Sequence, residues 1–154
     1  MTSPPRTASA PVGCTNLKLR QLTRRVSQHY DNIVGAAGVK TTQYSLLSYV
    51  VKLAPVRPSD LAKVMEMDAS TLTRNLQSLI AAGWVEIGPG VDGRSRVVTA
   101  TEAGRAKRAE AQAEWKRAQL ALNERLGVDK VLQLHALLDE CLILMSDTSG
   151  ACDD

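Results

Sequence analysis

At 154 residues, 44% hydrophobic and 23% charged, the chain suits one globular domain with a modest core, and its lack of phenylalanine leaves that core to Leu, Val, Ala, Ile and Met, which favours helices. The net charge of +3 hides a split, +8 over residues 1–108 and −5 over residues 109–154, so one end of the chain offers cations to a polyanion. Three cysteines, an odd number, and the absence of any signal-like or membrane-length apolar run exclude a disulfide framework and a membrane protein and point to a cytoplasmic location.

Residues 1–13, rich in Ser, Pro, Thr and Ala, read as a flexible arm, and residues 146–154 as a flexible tail. Between them lies a single domain, 14–145. Leu19, Leu22, Val26, Tyr30 and Ile33 or Val34 recur at three- and four-residue intervals and predict a first helix over 14–36, closed by Gly38. Thr41 or Thr42 caps a second helix through Tyr44, Leu47 and Val50 or Val51, ending before Pro55. Pro58 suits the first position of a third helix holding Leu61, Val64 and Met65, because its missing N–H has no partner to lose there. Arg57, at the cap position, is a poor capping residue and is free to turn toward phosphate, while Ser59 in the first turn offers a hydroxyl and an N–H to phosphate.

The fourth helix has two distinct faces. Asp68 stands at its N-cap and Gly83 where a left-handed residue ends it. Leu72, Leu76, Leu79 and Ile80 form an apolar stripe, whereas Thr71, Arg74, Asn75 and Ser78, flanked by Ser70 and Thr73, form a polar one. Those side chains suit a DNA groove: Arg pairs with guanine O6 and N7, Asn with adenine, and hydroxyls with base edges or phosphates. Trp84 to Ile87 alternates as a strand, Gly88-Pro89-Gly90 and Asp92-Gly93 are turn chemistry, and Ser95 to Val98 returns. Asp92, Arg94, Ser95 and Arg96 thus sit at or beside a hairpin tip, where Arg94 can enter a narrow minor groove and Asp92 can hold its guanidinium.

A long helix follows from Thr101 and Glu102 to about Arg125 and ends at Gly127; a last helix spans 128–145. The last helix is apolar around most of its circumference, from Val131 to Met145, which requires a second covering surface, and in so small a chain that surface is best supplied by another copy. The predicted architecture is mostly α with a small β-hairpin wing: a winged helix-turn-helix over 41–100 and a helical dimerisation region formed by 14–37 and 102–145. No nucleophile–base pair, phosphate loop or metal-ligand spacing is present, and His29 and His135 have no second ligand nearby in sequence, so the reading is of a non-enzyme without cofactor or metal.

The fragments Pro58-Ser59-Asp60-Leu61-Ala62, Asp68-Ala69-Ser70-Thr71-Leu72-Thr73-Arg74, Gly83-Trp84-Val85, Asp92-Gly93-Arg94 and Thr101-Glu102-Ala103-Gly104, in this order, resemble the MarR family of multiple antibiotic resistance regulators over about residues 14–145. The resemblance implies a cytoplasmic homodimer on a pseudo-palindromic operator in double-stranded DNA, commonly a repressor released by a small phenolic or aromatic carboxylate effector or by oxidation. An effector pocket is expected where the first, second and fifth helices meet, with Arg20, Arg24, His29, Tyr30, Gln43 and Tyr44 as its polar and aromatic candidates. Cys14, opening the first helix, is the redox candidate, because a helix N-terminus favours thiolate. In peroxide-sensing relatives the reactive cysteine falls where this chain has Asn16, and Arg20 replaces one of their tyrosines. Cys141 has core periodicity and Cys152 lies in the tail. The remaining alternative is a winged-helix module that binds protein rather than DNA.

Overall fold

The computed structural model describes residues 10–146, so Cys152, most of the N-terminal arm and nearly all of the tail lie outside the described residues. In chain order the elements are α1 (Thr15–Val34), a 3-10 turn (Gly35–Ala37), α2 (Thr41–Leu53), α3 (Pro58–Val64), α4 (Ala69–Ala81), β1 (Val85–Pro89), β2 (Arg96–Ala100), α5 (Glu102–Leu126) and α6 (Val128–Ser146). The fold is mostly helical, and β1 and β2 pair antiparallel in a register running from Val85 opposite Ala100 to Pro89 opposite Arg96. Val56 adds a short third rung, exchanging two backbone hydrogen bonds with Val98 at 3.2 and 2.8 Å.

Two cores organise the molecule. The first joins Leu46, Leu47 and Val50 of α2, Leu61 of α3, Leu72, Leu76 and Leu79 of α4, and Val85 and Val98 of the hairpin. Each fully buried leucine contributes about 1.5–3 kcal/mol relative to exposure, so this cluster holds the winged unit together. The second joins Val34, Ala37, Val39 and Tyr44 to Ala111 and Ala118 of α5, with Tyr44 tilted over Trp115 at a ring separation of 6.2 Å. Trp84 packs against both clusters and links the two halves of the chain.

Several local expectations are corrected by tertiary contacts. The second helix is not capped by a threonine: Lys40 is its N-cap, the Gln43 carbonyl accepts from the Lys40 N–H at 2.9 Å, and the Thr41 N–H donates to Asp31 at 2.8 Å. Ile80 is 39% exposed and Val64 52% exposed, because α4 enters the core only through Leu72, Leu76 and Leu79 and α3 only through Leu61 and Ala62. Gly88 and Pro89 belong to β1 and not to the turn, which begins at Gly90, whose N–H donates to the Ser95 carbonyl. Gly83, just after α4, has φ +76°, as its position predicts.

α6 departs most from a self-sufficient fold. Val131 is its one buried residue among those described, while Leu132, Leu137, Leu138, Leu142, Ile143, Leu144 and Met145 are exposed, as are Leu17, Leu19 and Leu22 on α1. Cys141, read as a core position, is likewise exposed within this chain. No helix among the described residues is long and apolar enough to cross a membrane.

Candidate nucleic-acid interface

The start of α4 is built by one carboxylate. Asp68 accepts hydrogen bonds from the Ser70 hydroxyl at 2.6 Å and from the N–H and hydroxyl of Thr71, each at 2.8 Å. Those bonds, the Ser70 hydroxyl foremost, hold its carboxyl well below the usual carboxylate range. With Leu72, Leu76 and Leu79 buried, the opposite side of the helix presents Ser70, Thr73, Arg74, Gln77 and Ser78 to solvent, while Thr71 and Asn75 are half-buried. The other two exposed hydroxyls are also engaged locally: Thr73 donates to the Ala69 carbonyl and Ser78 to the Asn75 carbonyl, each at 2.8 Å. Each still has acceptor capacity, and the Arg74 guanidinium projects from the middle of the exposed face. Gln77 is exposed beside it and was missed in the sequence, although the spacing 70, 73, 74, 77 traces the same face.

The wing tip corrects one expectation. Asp92 does not hold the Arg94 guanidinium; its Oδ1 accepts from the Ser95 hydroxyl at 2.7 Å, the Ser95 N–H at 2.9 Å and the Arg94 N–H at 3.1 Å. The Ser95 hydroxyl and N–H, then the Arg94 N–H, pull its carboxyl down to about 2. Asp92 is therefore the brace that shapes the turn, leaving the Arg94 and Arg96 side chains and Val91 exposed. At the N-terminus of α3, Arg57 turns back to Asp60 at 3.6 Å, and Ser59 remains exposed.

The winged unit is joined to α5 at Thr101 and Gly104. The Thr101 hydroxyl donates to the Gly83 carbonyl at 2.7 Å and accepts from the Gly104 N–H at 3.0 Å, while the Thr101 N–H donates to the Trp84 carbonyl at 3.0 Å. A Cβ on Gly104 would lie 1.9 Å from the Trp84 carbonyl oxygen, so only glycine lets α5 approach that closely. Lys107 reinforces the joint: its ammonium donates to the Ala37 carbonyl at 3.0 Å, pairs with Glu110 at 2.8 Å and lies 5.9 Å from the Trp84 ring centre. A helix-turn-helix with a hairpin wing, clamped to a long helix in this way, defines a winged helix-turn-helix fold.

The comparisons agree. The model of the MarR family matches residues 37–95. The chain is 27% identical over 132 residues to the multiple antibiotic resistance protein MarR of Escherichia coli, covering 82% of this chain and 92% of that protein. It superposes with a TM-score of 0.74 and 25% identity on a mutant MarR from E. coli complexed with operator DNA, covering 82% of this chain and 92% of that one. The M. tuberculosis transcriptional regulator MosR in complex with DNA gives 0.66 and 26%, with coverages of 84% and 98%. The chain is therefore similar to the MarR family through its winged unit and, at lower identity, over most of its length.

The six effector candidates fall into separate environments. Arg20 and Arg24 are exposed on α1. The His29 ring Nε2 lies 2.9 Å from the Ala118 carbonyl, and His29 also lines a cleft of about 450 Å³ between α1 and α5. Tyr30 donates to Gln119 across the same helix pair, and burial pushes its phenol up. It borders a second cleft of about 260 Å³ among α1, α5 and α6. Gln43 serves the start of α2 and reaches Ser78 at 3.5 Å, and Tyr44 is in the second core. Cys14 is the exposed N-cap residue of α1, without a side-chain cap. Among the described residues no group of three or more His, Cys, Asp or Glu is placed to hold a metal.

Proposed function

We propose that the chain is a cytoplasmic, homodimeric repressor that reads a pseudo-palindromic operator, laying α4 into the major groove and the wing into the adjacent minor groove. Ser70, Thr71, Thr73, Arg74, Asn75 and Ser78 are the reading set, Arg94 and Arg96 the wing contacts, and Ser59 a phosphate contact; Asp92 and Ser95 form the turn that carries Arg94. The observation that carries this reading is the division of α4, with three leucines sealed in the core and Arg74 exposed on the other side, beside a wing whose arginines are also exposed. The DNA complexes of MarR and MosR support the same docking here.

The dimer is supported by the apolar faces of α6 and α1, which a twin subunit would cover; 14–37 and 102–145 then form the dimerisation part and 41–100 the reading part. Two such readers must stand about 34 Å apart to enter successive major grooves, so a ligand that alters their spacing weakens specific binding. A small aromatic or phenolic acid fits the role of effector, as the family resemblance implies.

The test is fluorescence anisotropy with a palindromic duplex, selected from random sequence, against a scrambled one at two salt concentrations. Preference for the palindrome should survive the higher salt, whereas equal affinities for both duplexes would leave only a basic surface. Light scattering of the free protein should give twice the chain mass.

A further inference from the structure

We propose that Lys107 is a positioning residue: it fixes the angle of the winged unit on α5, and with it the separation of the two half-sites that a dimer accepts. Its ammonium gathers three segments that are distant in sequence. It donates to the Ala37 carbonyl at 3.0 Å, where the 3-10 turn ends, pairs with Glu110 on α5 at 2.8 Å, and lies over the Trp84 ring, 5.9 Å from its centre, just before β1.

The joint between wing and α5 needs such a second point of attachment. The Thr101 hydroxyl and N–H and the close approach of Gly104 all meet the backbone of Gly83 and Trp84, so together they make one pivot. Lys107 follows Gly104 by three residues and lies on the same face of α5, about one turn further along. Contact at one point permits rotation; contact at two sets a direction.

Two features separate this role from general support of the fold. The Lys107 side chain is 25% exposed and that of Glu110 55%, and a pair so open to water contributes little to folding. Ala37, by contrast, is buried in the second core, and Trp84 packs against both cores, so the ammonium spans the seam between them. A carbonyl at the end of a helical turn and the face of an indole ring both carry negative partial charge, which a cation satisfies together.

The inference rests on the reading of the chain as a dimeric operator-binding protein and names the residue that sets its geometry. Each base pair added between half-sites moves one of them by about 3.4 Å and turns it by about 35°. Two heads held at a fixed angle reject that change, and two loosely held heads accept it.

The experiment uses the full chain and duplexes carrying the selected palindrome with its spacer at native length and one base pair longer or shorter, together with a duplex bearing a single half-site. Fluorescence anisotropy compares the unchanged protein with Lys107→Met, which keeps the stem and removes the donors, and Lys107→Arg, which keeps the charge. The unchanged protein is expected to prefer the native spacing by about tenfold and Lys107→Met by about threefold or less, with equal affinity for the single half-site and an equal subunit count; Lys107→Arg should restore the preference. An unchanged protein indifferent to spacing, or Lys107→Met that keeps the tenfold preference, overturns the proposal. So does Lys107→Met that weakens every duplex alike and lowers the salt dependence, which would assign the ammonium to the DNA backbone. Should Lys107→Met not melt cooperatively, Lys107→Gln, which keeps a donor for Ala37 but no charge, takes its place under the same criteria; failure of both to fold makes the contact a support of the fold and overturns the positioning role. Unchanged protein that binds no operator, or is a monomer, refutes the regulator reading instead.

Discussion

α4 and α6 are both helices rich in leucine, yet they relate to the rest of the chain in opposite ways. In α4 the leucines are buried and, Ile80 and two alanines apart, the exposed surface is polar, so the helix is nearly complete within one chain and its outer face is free for another molecule. In α6 the apolar side chains surround the helix and only Val131 is buried, so the helix is incomplete until something else covers it. A helix with a polar exposed face advertises recognition; one with an apolar exposed face advertises assembly.

Five substitutions and a titration test that contrast. Leu142→Glu, placed on α6 where the side chain is 57% exposed, should leave the chain folded but monomeric by light scattering. It should also lower operator affinity roughly 100-fold or more, because two linked readers become one. A dimer that survives it would remove α6 from the interface. Leu76→Ala, in the α4 core, should cost about 2–5 kcal/mol by urea denaturation without changing the subunit count. If it instead broke the dimer, the two helices would not be independent. Arg74→Ala should lose about 1–3 kcal/mol on the true operator, and with it the preference over a scrambled duplex. Arg94→Ala should weaken both duplexes alike and reduce the slope of log affinity against log salt by about one.

The smallest effect concerns Asp92. Its carboxyl is depressed in the folded chain, so the stability it gives the turn is present above the ordinary aspartate range and is lost as pH falls through about 2. Slow amide exchange at Ser95 should persist to that pH and vanish below it, and Asp92→Asn should abolish the dependence, with little effect on α4. Protection that fades near pH 4 would mean the brace is weaker than its hydrogen bonds indicate.

What depended on near neighbours was legible in the sequence. The Asp68 cap, the three buried leucines of α4, the left-handed Gly83 and the Thr101 start of α5 are all set within one or two turns of chain. What depended on distant or three-dimensional partners was not. Asp31 reaches Thr41 across ten residues, and the turn geometry, not charge, decides that Asp92 serves Ser95 and the backbone. The six effector candidates scatter because adjacent positions on a helix point about 100° apart, which composition does not record. Lys107 meets Ala37 and Trp84 only because the fold brings three distant segments together. Gly104 was visible within a motif, but its reason, the carbonyl of Trp84 against its Cα, was not.

That bare point of touch bears on how such molecules can be recombined. Because the wing base and the long helix meet backbone against backbone at Gly104, no rotamer there can take up a mismatch. A chimera that replaces the winged unit on this helical scaffold must therefore bring the segment from Gly83 to Gly104 as one piece, or the new unit will sit at the wrong angle to α5 even when it is itself perfectly folded.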